Sequence, residues 1–294
     1  MKINQILNSL IYGDAIGNEA LVIRKLLRNN GYESDIYVNE VSKNLVNEVK
    51  YFSEFYKDNS DLIIYHYGGS DKVYEDLVKI DIKKVLIYHN ITPYKYFIKY
   101  DKPTADETKK SYENLSYLAK IFNFAIAVSN YNKNELINSG FKNIEVIPIL
   151  IDFEKYNIPD NNIMYKDDYV NLLYVGRISP SKKIEDLLML FRYYNYYNKK
   201  SRLIIVGDYG TSVPSRIYHY MLMKLIRDTC IKNVYFTGKI SFESLIRYYK
   251  LADIFITMSA HEGFCVPLLE SMYFGIPVIA NNICAIPETL GGAG

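Results

Sequence analysis

Two glutamates, Glu262 and Glu270, flank the turn-rich stretch GFCVP and follow directly on the apolar run ADIFITM. A carboxylate beside the buried end of a strand costs free energy unless something there uses it. Pro267 suits the first turn of a helix, where a missing amide hydrogen costs nothing. Gly263, Phe264, Cys265 and Val266 then fall at a helix entrance, with amides directed toward a ligand. Two carboxylates repel a phosphate, but they suit neutral hydroxyls such as those of a ribose or a hexose, because a charged acceptor binds a hydroxyl more strongly than a neutral one does. The competing reading is local: Glu270 complements the helix N-terminus and Glu262 caps it.

The stretch YVGRISPSKKIEDLL offers the opposite chemistry. Gly176 permits a tight turn, and Arg177 and Lys182 follow before a helix that starts near Ile184. Cations beside helix-start amides make an anion site; ordinary charges on a solvated loop are the alternative. Taken together, one loop supplies cations for a diphosphate and another supplies carboxylates for hydroxyls, which describes a site for a sugar nucleotide. Earlier in the chain, YGDAIGNEA (Tyr12 to Ala20) is a glycine-containing loop or a simple tight turn and helix start. It is not a GxGxxG fingerprint, so a nicotinamide cofactor gains nothing from it. His89 ends the run VLIYHNITP, where a lone histidine is either a hydrogen-bonded structural residue or a site residue. His66, at the preceding strand end, is a weaker candidate for an acceptor, and His261 adjoins Glu262.

These residues need strands to carry them. INQIL, SDIYV, DLIIYH, KVLIYH, AIAVSN and IEVIPIL read as strands in the first half, and VNLLYVG, SRLIIVGD, NVYFTGK, DIFITMS and IPVIA in the second. NEALVIRKLLRNNG, ended by Gly31, is the clearest amphipathic helix between them. Strands alternating with helices, and apolar almost throughout, mean parallel sheets covered on both faces. Ligands of such sheets bind beyond the carboxyl ends of the strands. The polar stretch Ile151 to Asp168 breaks the alternation. We therefore expect an α/β chain with an N-terminal domain over 1–155, a linker over 156–168 and a C-terminal domain over 169–294. The last stretch, ICAIPETLGGAG, reads as a glycine-rich loop without a capping helix, where a doubly wound sheet would continue. A length of 294 residues fits two domains, and a net charge of +2 argues against a nucleic-acid binder. Cys230, Cys265 and Cys284 form no metal-ligand pair and point to a reducing compartment. Neither a signal peptide nor a membrane span is expected.

The second half, roughly residues 170–294, resembles the donor-binding domain of the retaining glycosyltransferases of family 4 (glycosyl transferases group 1). The matching pieces are VGRISPSKKIEDLL, LIIVGDYG, VYFTGKIS, LADIFITMSAHEGFCVPLLESMYFGIPVIA and IPETLGGAG, with Glu262-x7-Glu270 the most specific. The resemblance implies the GT-B architecture: two Rossmann-like doubly wound parallel-sheet domains facing a cleft, here with the C-terminal domain truncated. It implies that Arg177 and Lys182 hold the donor diphosphate, that Glu270 takes the ribose hydroxyls and that Glu262 takes those of the sugar. Gly263 to Val266 would approach sugar and phosphates, and Lys239 and Ile240 would border the base. Gly13 and Gly17 would face the donor, and His89 would lie against the donor sugar, with His89 and Glu262 the catalytic candidates. Cys265 and Lys183 depart from glycines common in the family. The implied activity is transfer of a hexose from a UDP- or GDP-type nucleotide sugar, the co-substrate, to a hydroxyl of a glycan or lipid-linked acceptor in polysaccharide biosynthesis. No metal or other cofactor is implied, the cations replacing a metal ion. The cytoplasm is the implied location. TPYKYFIKYDKPTADETKKSYENL would supply acceptor specificity, either as a solvated loop and helix or in peripheral contact with the inner face of a membrane. A sugar-nucleotide epimerase of the same architecture and a catalytically silent nucleotide-sugar-binding or partner subunit are the alternatives.

Overall fold

Each apolar run quoted above contains a strand in the computed structural model, which describes residues 1–69, 73–159 and 167–293. The chain divides into two compact units, Met1–Ile91 with Glu107–Phe153, and Thr92–Asp106 with Glu154–Gly294. Thr92–Asp106, grouped by sequence with the first domain, thus packs with the second unit. There the Tyr96 hydroxyl donates to the Ala260 carbonyl (2.9 Å), and the Tyr100 ring meets Tyr218 edge-on at 5.6 Å. Of the expected linker, residues 160–166 lie outside the described residues.

The first unit is built on a parallel sheet of seven strands: β1 Ile3–Leu10, β2 Ile36–Val41, β3 Lys50–Tyr51, β4 Leu62–Tyr67, β5 Lys83–Tyr88, β6 Phe124–Ala127 and β7 Ile144–Val146. Their spatial order is β3-β2-β1-β4-β5-β6-β7. The helix Ala15–Asn29 follows β1. Asp14 caps it by accepting from the Gly17 amide, and Gly31 leaves it with φ +81°, a conformation that favours glycine. Gly13, in the turn before this helix, also has a positive φ of 80°. At Gly17 the constraint is space, since a Cβ would lie 2.8 Å from Leu10 Cδ1.

The second unit carries five parallel strands: β8 Val170–Val175, β9 Ser201–Val206, β10 Val234–Gly238, β11 Ile254–Thr257 and β12 Val278–Ala280, in the order β10-β9-β8-β11-β12. In each sheet the strand order reverses beside the first strand, between β1 and β4 and between β8 and β11. The loops there leave in opposite directions and open a crevice at the carboxyl ends. The helix Ile184–Tyr197 packs on the second sheet through Ile184, Leu187, Leu188 and Phe191, all fully buried. Burying a side chain of this size contributes about 1.5–3 kcal/mol.

Val213–Asp228 is the 16-residue helix between β9 and β10, and its buried face is mixed, Ser215 and Tyr218 with Leu222. One element departs from the expected pattern. ICAIPETLGGAG, expected to be a loop, holds a short helix, Ile286–Leu290, with Pro287 in its first turn and Gly291 (φ +56°) just beyond. Proline at the start and glycine past the end are the usual punctuation of a helix.

The loops after β8 and β9 touch through their glycines. A Cβ on Gly207 would sit 1.8 Å from the Gly176 carbonyl oxygen, a backbone atom that cannot swing away. Gly207→Ala is therefore expected to destabilise the protein by about 2 kcal/mol or more, read as a lowered midpoint in urea unfolding. An unchanged midpoint would mean the two loops are not in contact.

Candidate functional site

All five strands of the second sheet are parallel, so their carboxyl ends share one edge and the loops that follow them gather there. After β8 the chain runs through Gly176, Arg177 and the buried Ile178 into a short 3-10 turn, Pro180–Lys182, and then through Lys183 into the helix Ile184–Tyr197. After β11 it runs through His261 and Glu262 to Cys265, the N-cap of the helix Val266–Tyr273. These two loops flank the reversal in strand order. A backbone bond from the Ala260 amide to the Ser181 carbonyl (2.8 Å) joins them. So does an ion pair, Lys182 Nζ to Glu262 Oε1, at 2.6 Å.

The predicted phosphate cation and the predicted hydroxyl acceptor are thus each other's partner. Their side chains are 18% and 11% exposed, which leaves the pair at the surface of the crevice. Arg177 is exposed on the same loop, and among the described residues its guanidinium has no partner. The amides of Phe264, Cys265 and Val266 likewise have no acceptor among the described residues, as is usual at a helix start. Lys239, exposed, and Ile240, partly buried against the core, follow β10 at the same edge.

Glu270 sits deeper. It is buried, and both its oxygens already accept hydrogen bonds, from the Tyr156 hydroxyl at 2.7 Å and the Tyr249 hydroxyl at 2.5 Å. Burial pushes its carboxyl up, opposed by the two tyrosine bonds. Burial and the glutamate together raise both phenols, so neither tyrosine ionises near neutrality. Sequence reasoning missed these tyrosines, since neither Tyr156, at the edge of the expected linker, nor Tyr249, inside a helix, carries a motif. Cys265 lies beside Glu262, and burial first, then that carboxylate, push its thiol well above the ordinary range. It is a neutral thiol and no nucleophile. His261 is buried, its Nδ1 3.8 Å from Cys284 Sγ.

In the first unit His89 follows β5, but its side chain is only 2% exposed. Nε2 lies 3.0 Å from His66 Nδ1, and Nδ1 lies 3.5 Å from Glu19 Oε2. Both ring nitrogens thus face partners within the first unit. His66 is buried as well, and its Nε2 faces Gln5 Oε1 at 2.9 Å. Glu19 and Gln5 were not singled out from the sequence, although Glu19 stands inside the YGDAIGNEA stretch.

Residues 159–293 match the family model for glycosyl transferases group 1. The second unit belongs to that family. This group 1 domain aligns with the O-antigen chain mannosyltransferase B of Escherichia coli, 29% identical over 122 residues, 42% of this chain and 31% of the relative. It also aligns with the lipopolysaccharide 1,2-N-acetylglucosaminetransferase of Salmonella typhimurium, 32% identical over 143 residues, 46% of this chain and 36% of the relative. The aligned stretch thus spans about a third of these relatives' length. Among solved structures, Anabaena HepE in complex with UDP and glucose superposes with a TM-score of 0.72 at 19% identity, over 98% of this chain and 82% of that one. The fold is of the GT-B type.

The two departures from the family's glycines now have a physical meaning. Lys183 (φ +51°) and Cys265 (φ +75°) both occupy the left-handed region, where a side chain costs about 1 kcal/mol and glycine fits freely. Cys265→Gly in the group 1 domain is expected to raise stability by roughly 0.5–1 kcal/mol, measured by urea unfolding. A loss would show that the packing of the half-buried thiol outweighs the strain.

Proposed function

We propose that the chain is a metal-independent retaining hexosyltransferase, which moves a sugar from a UDP- or GDP-type nucleotide sugar to a hydroxyl of a glycan or lipid-linked acceptor in polysaccharide biosynthesis. The observation that carries this reading is the Lys182–Glu262 pair at the reversal of strand order in a group 1 domain. The relatives named for O-antigen and lipopolysaccharide synthesis support it, as does the neighbour holding UDP and glucose.

In this reading the donor diphosphate replaces Glu262 as the partner of Lys182 and draws in Arg177. The amides of Phe264 to Val266 contribute at the helix start. Glu262, released, accepts hydroxyls of the transferred sugar. Glu270 turns its remaining lone pairs to the ribose hydroxyls beside Tyr156 and Tyr249, while Lys239 and Ile240 border the base. The charge that grows on the leaving diphosphate then meets cations already in place, in a setting drier than bulk water. The acceptor attacks from the face the diphosphate leaves, and a donor phosphate oxygen takes the acceptor's proton. No protein nucleophile enters. We assign the chain to the cytoplasm, in peripheral contact with the inner face of a membrane when the acceptor is lipid-linked. No helix among the described residues is long and apolar enough to cross a membrane.

A thermal-shift panel of UDP, GDP, ADP and their sugar conjugates tests the site. One nucleotide family is expected to raise the melting temperature by several degrees at saturating ligand, and Arg177→Ala and Glu270→Ala are each expected to abolish the rise. No shift with any nucleotide would remove the donor site from the proposal. Metal independence has its own test: with the matching donor and an acceptor, turnover is expected to persist in excess EDTA, and its collapse would assign the diphosphate to an ion.

A further inference from the structure

Across the first sheet, at its own reversal of strand order, four polar side chains stand in line with almost no access to solvent. Gln5 comes from β1, His66 from β4, His89 from the end of β5, and Glu19 from the helix that covers this face. Each contact has a direction that can be read. The Gln5 amide nitrogen donates to the Ala20 carbonyl at 3.0 Å, so its oxygen is the atom facing His66 Nε2 at 2.9 Å. That nitrogen must carry a hydrogen. His66 Nδ1 then meets His89 Nε2 at 3.0 Å, and His89 Nδ1 meets Glu19 Oε2 at 3.5 Å. The last two atoms are buried and have no other partner. The second Glu19 oxygen accepts from the Leu150 amide at 3.2 Å.

Three contacts need three hydrogens, and two neutral imidazoles bring two. Without a third, a carboxylate would face a bare ring lone pair away from water, an arrangement that repels. We propose that Glu19, His89, His66 and Gln5 form one directional hydrogen-bond row that retains a single extra proton, shared at the Glu19–His89 end, and that Glu19 is thereby the positioning residue for the strand end that bears His89. The bearing on sugar transfer rests on the reading above; the row itself does not.

The chemistry of the surroundings agrees. Burial, opposed by the Leu150 amide bond, pushes the Glu19 carboxyl up to about 7; burial pushes His66 down to about 3, and burial first, then the charge of His66, pushes His89 well down. The titratable groups facing Glu19 are His89 and, behind it, His66; β1 adds the neutral Gln5, and Leu150 only its amide. Charged neighbours on the same helix turn elsewhere, Arg24 to Glu48 and Lys25 to Asp152. Glu19, His66 and His89 also offer metal-ligand atoms within 4.8 Å of one another. A proton fits the geometry better than an ion. The ring centroids are 5.2 Å apart and the planes 15° from parallel, nearly the 3.0 Å contact plus two ring radii, so the rings meet edge to edge in one plane. Two imidazoles on one tetrahedral metal hold their nitrogens only about 3.3 Å apart but aim both lone pairs at the ion, whereas these two nitrogens aim at each other.

The test counts protons. Between the ordinary carboxyl and imidazole ranges the unfolded chain holds two protons on these groups, both on histidine, whereas the folded row holds one. The depressed histidines contribute stability that is lost as pH falls. The raised Glu19 contributes with the opposite sign, stability lost as pH climbs from 4.5 toward about 7. In Glu19→Gln the new amide supplies the third hydrogen and the folded row holds no extra proton. Unfolding free energies measured in urea between pH about 5 and 6.5 are then expected to rise more steeply in Glu19→Gln than in the wild type, by one proton's worth of slope. Equal slopes overturn the proposal. Should the variant not fold, ring nitrogen–proton correlations on the wild type decide. His66 is expected to be neutral at pH about 6, with its hydrogen on Nε2, and a hydrogen on Nδ1 alone overturns the row. In a transfer assay Glu19→Ala is expected to lose about tenfold or more and Glu19→Gln to recover most of it; equal rates in all three proteins overturn the positioning role. A wild type that transfers nothing would sink the transferase reading instead, and the proton count would still decide the row.

Discussion

An ammonium and a carboxylate 2.6 Å apart, on loops separated by 80 residues of chain, fix the working edge of the second unit. A partly exposed ion pair contributes little to stability by itself. Its effect is to specify: the loops after β8 and β11 diverge where the strand order reverses, and this contact with the Ala260–Ser181 backbone bond gives them one arrangement. Much around it serves that arrangement. Gly176 and Gly207 let the neighbouring loops close on each other, the Tyr174 hydroxyl donates to the Arg177 carbonyl from below at 3.3 Å, and Lys183 and Cys265 adopt left-handed backbone to turn each loop into its helix. Strain of this kind persists where surrounding structure over-determines it, and it gathers at working sites.

The first unit meets the same topological break differently. Its strand order also reverses beside the first strand, but a helix closes over the gap, and the polar groups there are neutral in sum and turned inward. One sheet therefore presents paired charges at its edge, ready to be exchanged for those of a ligand. The other keeps its polar atoms for itself. Buried in that way, a row of hydrogen bonds tolerates no missing partner, which ties the end of β5 to the covering helix more strictly than apolar packing would.

The parallel sheets were legible because buried strands are apolar almost throughout and punctuated by glycine, as LIIVGD and NLLYVG show. The loop residues Arg177, Lys182 and Glu262 were legible for a related reason: a charge placed directly after such a run has few structural uses. What escaped was whatever depends on partners distant in the chain. Nothing local marks Tyr156 or Tyr249 as the holders of Glu270, and the inward turn of His89 is decided by Gln5 and Glu19 on other elements. The affiliation of Thr92–Asp106 escaped too, because Tyr96 and Tyr100 look like any other tyrosines in a chain that has 30 of them. The glycine that the family prefers at Lys183 and Cys265 was visible as a difference, while its reason, the sign of φ, is a property of the backbone alone.

The chain has no tryptophan, so its near-ultraviolet emission comes from phenol rings without a stronger emitter to drain them. A phenol bonded to a carboxylate glows weakly, because the excited hydroxyl hands its proton to the acceptor. Glu270 holds two such phenols in one buried knot. A ligand hydroxyl that shares this carboxylate competes with both phenols for its negative charge, so their emission follows the occupancy of the second unit without a dye or an engineered residue.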